Sequence, residues 1–127
     1  MTQITQHEIE IILNSTHDGM IAVNENGIVT LFNRAAERIT GLKANDVIGR
    51  KAVDTIPNTR LHVVLDQGEP ELNQQQSIGA ASIITSRIPL RDEQGRIAGA
   101  LAVFRDITEV KSLSAQLSDL WKARNLL

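Results

Sequence analysis

The chain contains no cysteine among its 127 residues. This absence excludes disulfides, thiolate metal sites, cysteine nucleophiles and flavin–cysteine adducts together. Aromatic side chains are nearly as scarce, since Phe32, Phe104 and Trp121 are the full set. Their scarcity argues against a site that stacks a large planar ligand. The formal net charge of −2 offers no positive surface for nucleic acid or for an anionic membrane.

The sequence also lacks any apolar run near the roughly 20 residues that a membrane-spanning helix needs. Its N-terminus has no basic region followed by an apolar stretch, so it does not resemble a secretory signal. We therefore expect a cytoplasmic protein that binds neither a membrane nor nucleic acid directly. With 42% hydrophobic and 22% charged residues, the composition is that of one ordinary globular domain.

Hydrophobic spacing predicts a helix first, then a hairpin, short helices and three strands. Ile9, Ile12 and Leu13 share one helical face, and the Asn-Gly pair at 26–27 favours a tight hairpin turn between two β-branched runs. The predicted short helices cover residues 34–40, 44–48 and 60–67, and the predicted later strands cover residues 72–78, 81–90 and 96–105. Along the second of these strands, the more apolar set is Ile84, Ile88 and Leu90.

Residues 106–127 contain neither glycine nor proline and carry a heptad pattern. Its apolar positions are Val110, Leu113, Leu117, Leu120 and Leu127. Arg124 interrupts that seam. An isolated helix with so narrow an apolar stripe has little stability, so we expect it to pair with a second copy as a homodimer. The chain ends without a helix-stop signal, and we expect residues 1–106 to form a domain and 107–127 a coiled-coil helix truncated from a longer protein.

Several stretches resemble the PAS domain family, in the order that this family has them. They are Asp18-Gly19-Met20, Asn24 to Val29, Phe32 to Glu37, Gly41-Leu42, Val47 to Arg50, and Phe104 to Glu109. The sequence Asp106-Ile107-Thr108 is the most specific of these marks. The resemblance implies an α+β fold, with a five-stranded antiparallel sheet, short helices over one face, an N-terminal helix and a C-terminal coiled-coil helix. It also implies that Asp106, Ile107 and Thr108 form the junction that passes strain from the sheet to the exit helix.

The middle of the chain, at residues 56–61, 64–70 and 87–90, is similar to the sensory PAS domain of sigma-54-dependent transcriptional activators. That resemblance implies a sensor inside a parent with ATPase and DNA-binding domains. A sensor histidine kinase is the alternative parent. No phosphate-binding loop or kinase core is present in this sequence, and no catalytic triad or paired-carboxylate site is indicated, so we expect no enzymatic activity. Glu69 and Glu71 flank a proline and are interpreted as solvated loop residues.

A ligand pocket is expected between the helices and the sheet. Its predicted lining is Phe32, Ile39, Ile56, Leu61, Leu65, Ile84, Arg87 and Leu101. Arg87 stands among apolar neighbours, and a guanidinium facing the pocket would suit a small carboxylate. The alternatives for Arg87 are a solvent-facing position or a structural salt bridge. A dimerisation module with a filled core and no ligand is the alternative for the whole domain.

Cofactors are not expected. His62 lies on the helix that supplies the iron ligand in haem-binding PAS domains, but its position on the flank of the apolar face favours an ordinary surface histidine. Flavin-binding relatives need a cysteine that this chain lacks. The three histidines do not have metal-ligand spacing, so no metal site is expected. Asn33 is interpreted as a helix cap.

Overall fold

The computed structural model describes residues 3–78 and 80–124. Within these residues the helices are Gln6–Ser15 (α1), Arg34–Thr40 (α2), Ala44–Val47 (α3), Ala52–Thr55 (α4), Leu61–Gln67 (α5) and Thr108–Arg124 (α6). The strands are Gly19–Asn24 (β1), Val29–Phe32 (β2), Glu71–Ile78 (β3), Ala81–Arg91 (β4) and Ile97–Asp106 (β5). This element order confirms the predicted architecture, except that the short helix α4 has no counterpart in the sequence-based prediction.

The five strands form one antiparallel sheet in the order β2-β1-β5-β4-β3. The two central neighbours β4 and β5 are the longest strands, and β2 and β3 lie at the edges. The hairpin between β1 and β2 forms where the Asn-Gly pair predicts it, with Gly27 at a φ of 77°. The side chain of Asn24 stabilises this turn, because its Oδ1 accepts from the backbone N–H of Asn26 at 2.9 Å.

The core lies between one face of the sheet and the short helices. Buried side chains of the strands, such as Ile21, Ile83 and Phe104, meet Leu61 and Val64 of α5 there. The strand β5 presents the small residues Ala100 and Ala102 to this face, so α5 packs closely across it.

The more apolar set of β4 faces away from the core. Ile83, Thr85 and Arg87 face the core and are buried, whereas Ile88 and Leu90 are each 37% exposed. The pairing with β5 determines this alternation, because Thr85 lies opposite Phe104 and therefore shares its face. Apolar character alone does not identify the core face of β4, because the outer face of the sheet also carries apolar residues.

Two predicted lining residues consequently lie on the wrong face for a core pocket. Ile84 alternates with the buried Ile83, and Leu101 alternates with the buried Ala100 and Ala102. Both are half-buried on the outer face of the sheet. The prediction that Ile84 and Leu101 line the pocket is wrong, because their direct neighbours in each strand are the residues that face the core.

The C-terminal helix α6 follows the sheet directly and is exposed along its described length. Leu127, the last position of the predicted heptad, lies outside the described residues, as does the end of the predicted 107–127 segment. Among residues 3–78 and 80–124, no helix combines the length and apolar character that crossing a bilayer requires.

Candidate functional site

Arg87 is a charged residue buried inside this domain, with only 3% of its surface exposed. It lies on the core side of β4, where Glu71 of β3 and Ala102 of β5 are its cross-strand partners. Its Nη1 donates to Glu71 Oε1 at 3.2 Å, and its Nη2 donates to the side-chain oxygen of Gln76. A buried guanidinium needs such acceptors, because burial penalises its charge and lowers the pKa of Arg87.

Glu71 bridges Arg87 to a second arginine. Arg60, which immediately precedes α5, donates from Nη2 to Glu71 Oε2 at 2.6 Å and from Nε to Glu71 Oε1 at 3.0 Å. This hydrogen bonding with Arg60 is the main reason that the pKa of Glu71 lies below its usual range, although partial burial opposes it. Two guanidinium groups thus share one carboxylate, and we call Arg60 and Arg87 the arginine pair.

The arginine pair lines a surface cavity of about 420 Å³, which we call the outer cavity. Its lining residues are Asn58, Thr59, Arg60, His62, Gln74, Gln75, Gln76 and Arg87. Among the residues that the structure describes, this lining combines two cations and a histidine with amides and a hydroxyl, and it contains no carboxylate. The volume is within the range of small-molecule sites, and the chemistry of the wall favours an anion.

A second, much smaller space lies on the core side of Arg87. This inner cavity has a volume of about 20 Å³, which is room for about one water molecule. Of the predicted pocket residues, Ile56, Leu61 and Arg87 line it. Four residues line both cavities and therefore form the wall between them: Asn58, Thr59, Gln76 and Arg87.

Three further predicted lining residues belong to the core or pack against it but do not line the inner cavity. Phe32 is buried in the core cluster, and Ile39 and Leu65 pack against that cluster. Leu61 and Leu65 also line a groove of about 360 Å³, which lies between α4, α5 and the sheet beside the β1–β2 hairpin. Charges of both signs, including Glu25 and Lys51, border this groove, so its wall does not favour an anion or a cation.

Sequence reasoning identified Arg87 but missed Arg60, Glu71 and Gln76. The interpretation of Glu71 as a solvated loop residue is wrong, since its side chain is 21% exposed and contacts both arginines. The signal that identifies it is the cross-strand pairing of Glu71 with Arg87, which appears only when the register of β3 on β4 is known. His62 is exposed on α5, as its flanking position predicts.

The predicted junction residues connect the sheet to α6 through hydrogen bonds. The side chain of Asp106 accepts from the backbone N–H of Thr108 at 2.9 Å and from its hydroxyl at 2.6 Å. Hydrogen bonding to that hydroxyl is the main reason that the pKa of Asp106 lies below its usual range. On the sheet side, Ser82 of β4 donates its N–H to Thr108 Oγ1 at 2.9 Å and accepts from Ile107 N–H at 2.8 Å.

Asn33 does cap α2, because its Oδ1 accepts from the N–H of Ala36 at 2.9 Å. The same oxygen accepts from the N–H of Met20 at 2.9 Å. Its Nδ2 donates to the carbonyls of Leu13 and Asp18, each at 3.0 Å. One buried side chain therefore holds the end of α1, the start of β1 and the start of α2 together.

The heptad positions of α6 form an exposed apolar stripe. Val110 is 65% exposed, Leu113 is 52% exposed, and Leu117 and Leu120 are each 67% exposed. At the other end of the chain, α1 also has exposed apolar side chains at Ile9 and Ile12. Exposed stripes of this kind typically mark contact surfaces with other protein chains.

The family model described as the PAS fold matches residues 8–107, which is most of the chain. The chain belongs to the PAS family. The match begins in α1 and ends at the junction before α6. The expected family and fold are therefore confirmed.

Two curated relatives from Halalkalibacterium halodurans illustrate the similarity. The sensor protein CitS is 42% identical over 113 residues, which cover 87% of this PAS chain and 21% of that protein. A probable C4-dicarboxylate sensor kinase is 32% identical over 111 residues, which cover 87% of this chain and 20% of that protein. The chain thus spans about a fifth of the length of these relatives.

Solved structures show the same fold. The structure of histidine kinase ThkA in complex with the response regulator protein TrrA is 23% identical to this PAS chain, with a TM-score of 0.74. The match covers 91% of this chain and 36% of the ThkA chain. The curated relatives are sensor proteins and sensor kinases, so they do not support the similarity to sigma-54-dependent activators or a parent with ATPase and DNA-binding domains. They favour the histidine kinase alternative.

Proposed function

We propose that this chain is the sensory PAS module of a sensor histidine kinase and that it passes a signal through α6 to a kinase core. The similarity to sensor kinases over 87% of the chain supports this parent. The observation that carries the signalling role is the bonding of Thr108 to Ser82. Through this contact the first turn of α6 is attached to β4 as well as to β5, so a displacement of the sheet moves the helix.

The proposal is tested by inserting this chain into CitS in place of the 113 residues that match it. Autophosphorylation of the resulting chimaera is then measured. We expect the chimaera to retain kinase activity and Thr108→Val to change that activity severalfold, because valine keeps the shape of threonine but loses the hydroxyl. Ser112→Ala removes an exposed hydroxyl from the same helix and is the matched control. An inactive but folded chimaera would contradict the parent, and equal activity of Thr108→Val would contradict the route through the junction.

We further propose that the ligand is a small carboxylate bound in the outer cavity by the arginine pair. Arg60 already binds the Glu71 carboxylate through two nitrogens, which shows that this site accommodates a carboxylate group. The described lining of the outer cavity contains no acidic residue, which also supports this ligand class. The name of one relative, a probable C4-dicarboxylate sensor kinase, agrees with this chemistry. Because the chain matches only a fifth of that protein, the arginine pair carries the argument.

Isothermal titration calorimetry with succinate, citrate and acetate tests the ligand class. We expect saturable binding of at least one of them to the wild-type chain and its loss in Arg87→Met, which keeps the length of the side chain but removes the charge. Arg96→Met, on an exposed arginine outside the outer cavity, is the matched control and should bind as the wild type does. Binding that survives Arg87→Met would contradict the site.

The inner cavity favours a second candidate function, a dimerisation module with a filled core. Its volume of about 20 Å³ leaves no room for a metabolite on the core side of Arg87. In this case none of the carboxylates would bind, and the exposed stripe of α6 would be the working surface. In both candidates we propose a homodimer through α6, since the stripe has the spacing of a coiled-coil seam.

A further inference from the structure

We propose that Glu71 is a built-in competitor of the ligand, a carboxylate tethered to β3 that occupies the arginine pair until an external carboxylate displaces it. This inference rests on the proposed carboxylate site and concerns its regulation. Glu71 presents to Arg60 and Arg87 the same planar group that a carboxylate ligand would present. Both of its oxygens are engaged, with Arg60 within 3.2 Å of each and Arg87 3.2 Å from Oε1.

The electrostatics of the cluster favour such an exchange over simple addition. A ligand that bound while Glu71 stayed would bring a second carboxylate beside the first, at a half-buried site where repulsion is weakly screened. A ligand that takes the place of Glu71 finds two guanidinium groups with their donors released. Glu71 is ionised at neutral pH, since the pKa of its carboxyl lies below the usual range, so the tethered group and the ligand compete as like anions.

The backbone around Glu71 allows it to leave without unfolding the sheet. β3 is an edge strand, and its pairing with β4 is interrupted between Glu71 and Gln74. Within the interruption, Asn73 is left-handed with a φ of 53°, and its N–H bonds to the hydroxyl of Ser86 instead of a β4 carbonyl. The paired residues from Gln74 to Ile78 lie beyond this bulge, so the segment that carries Glu71 can move separately.

Displacement of Glu71 also reaches the wall between the two cavities. Arg87 is held from one side by Glu71 and from the other by Gln76, and both Arg87 and Gln76 belong to that wall. When a ligand replaces Glu71, Arg87 keeps a charge partner, while β3 loses the side-chain contact at residue 71 and keeps only its strand pairing there. The start of β3 is therefore more mobile in the ligand-bound state than in the free state, and the core stays closed in both.

Calorimetric titration of succinate into wild type, Glu71→Gln, Glu69→Gln and Arg87→Met tests the inference. Glutamine keeps the shape of Glu71 but removes the competing charge, so we expect affinity to rise about tenfold, which corresponds to one charge-assisted hydrogen bond. Glu69→Gln removes the same charge from an exposed position two residues away and should change affinity less than about twofold. Equal gains in both glutamine variants would reduce the effect to net charge and overturn the competition.

The outcomes separate this inference from the proposed function. Binding by wild type that is lost in Arg87→Met but unchanged or weaker in Glu71→Gln overturns the competition and leaves the carboxylate site standing. If neither wild type nor Glu71→Gln binds succinate, citrate or acetate, both the competition and the carboxylate site are overturned. A second measurement needs no variant: in wild-type protein, saturating succinate should speed amide hydrogen exchange at residues 71–73 and leave residues 74–78 unchanged. Slower exchange at residues 71–73 would contradict displacement.

Discussion

At the scale of single residues, the placement of Arg87 explains why the sequence points to it but not to its partners. A charged residue among apolar neighbours in a strand is a visible anomaly. Its acceptors, Glu71 and Gln76, lie 16 and 11 residues earlier on another strand. Sequence spacing contains no information about which residues of two strands stand opposite each other, because the bulge at Asn73 shifts the register. The charged cluster is therefore a property of the folded sheet.

The partners of this cluster should contribute unequally to stability. Glu71→Ala leaves the buried Arg87 without a carboxylate, and we expect a loss of about 1–2 kcal/mol, below the roughly 3–5 kcal/mol of a fully buried pair because Glu71 is partly exposed. Arg87→Met removes the buried charge itself and leaves Glu71 paired with Arg60, so we expect a smaller loss. Urea unfolding of both variants measures the difference. A larger loss for Arg87→Met would contradict this account.

At the scale of elements, the sequence predicts correctly those helix ends that depend on interactions within one turn. The helix α2 begins after Asn33 and ends before Gly41, both as predicted, since a capping side chain and a left-handed glycine act within one turn. The core-facing side chains of β4 are not its more apolar set, because pairing with β5 determines which face is buried. The structure also adds α4, a single four-residue turn without a side-chain cap.

Close contact between β1 and β5 depends on a glycine. A Cβ atom at Gly99 would lie 2.3 Å from the carbonyl oxygen of Val23, and a backbone atom cannot move aside as a flexible side chain can. We expect Gly99→Ala to lower the free energy of unfolding by about 1–3 kcal/mol, as overpacking does elsewhere. Ala98→Val, at the preceding exposed position, is the control and should stay near wild type in thermal unfolding. Equal melting temperatures for both variants would contradict the close approach.

The start of α6 should be sensitive to acid. The pKa of Asp106 is lowered by its bonds to Thr108, so its stabilisation is complete above the usual range of an aspartate carboxyl and is lost as the pH falls through the lowered value. We expect the protection of amide hydrogens in the first turn of α6, measured against the intrinsic exchange rate at each pH, to fall over that acidic window. Asp106→Asn should exchange faster at neutral pH and show a weaker pH dependence. An unchanged pH dependence in Asp106→Asn would place the titrating group elsewhere.

At the scale of the whole molecule, the fold was predictable and the parent protein was not. The fold follows from element order and turn signals distributed along the chain, from the hairpin at Asn24 to the junction at Asp106. The resemblance to sigma-54-dependent activators rests on short stretches around residues 56–70 and 87–90. Those stretches belong to α5, β4 and the loops beside them, which are parts of the PAS domain itself and not of an effector domain.

The exposed stripe of α6 predicts the oligomeric state. Leu113→Glu combined with Leu117→Glu places two like charges on the seam of each helix, and we expect sedimentation velocity to show monomers where wild type shows dimers. Ser112→Glu combined with Gln116→Glu adds the same charge beside the stripe and should remain dimeric. A dimer that survives the first double variant would place the interface elsewhere, for example on α1.

The strand β4 carries Arg87 near its middle and Ser82, the attachment point of α6, at its start. They lie five positions apart, or roughly 17 Å of extended chain. Where ligand binding and the association of α6 helices are coupled through this strand, each changes the equilibrium constant of the other by the same factor. If a carboxylate at Arg87 strengthens the association of two α6 helices by some factor, association must strengthen carboxylate binding by that same factor. The affinity for the ligand would then depend on protein concentration, and a titration on dilute chain would report the weaker of two values.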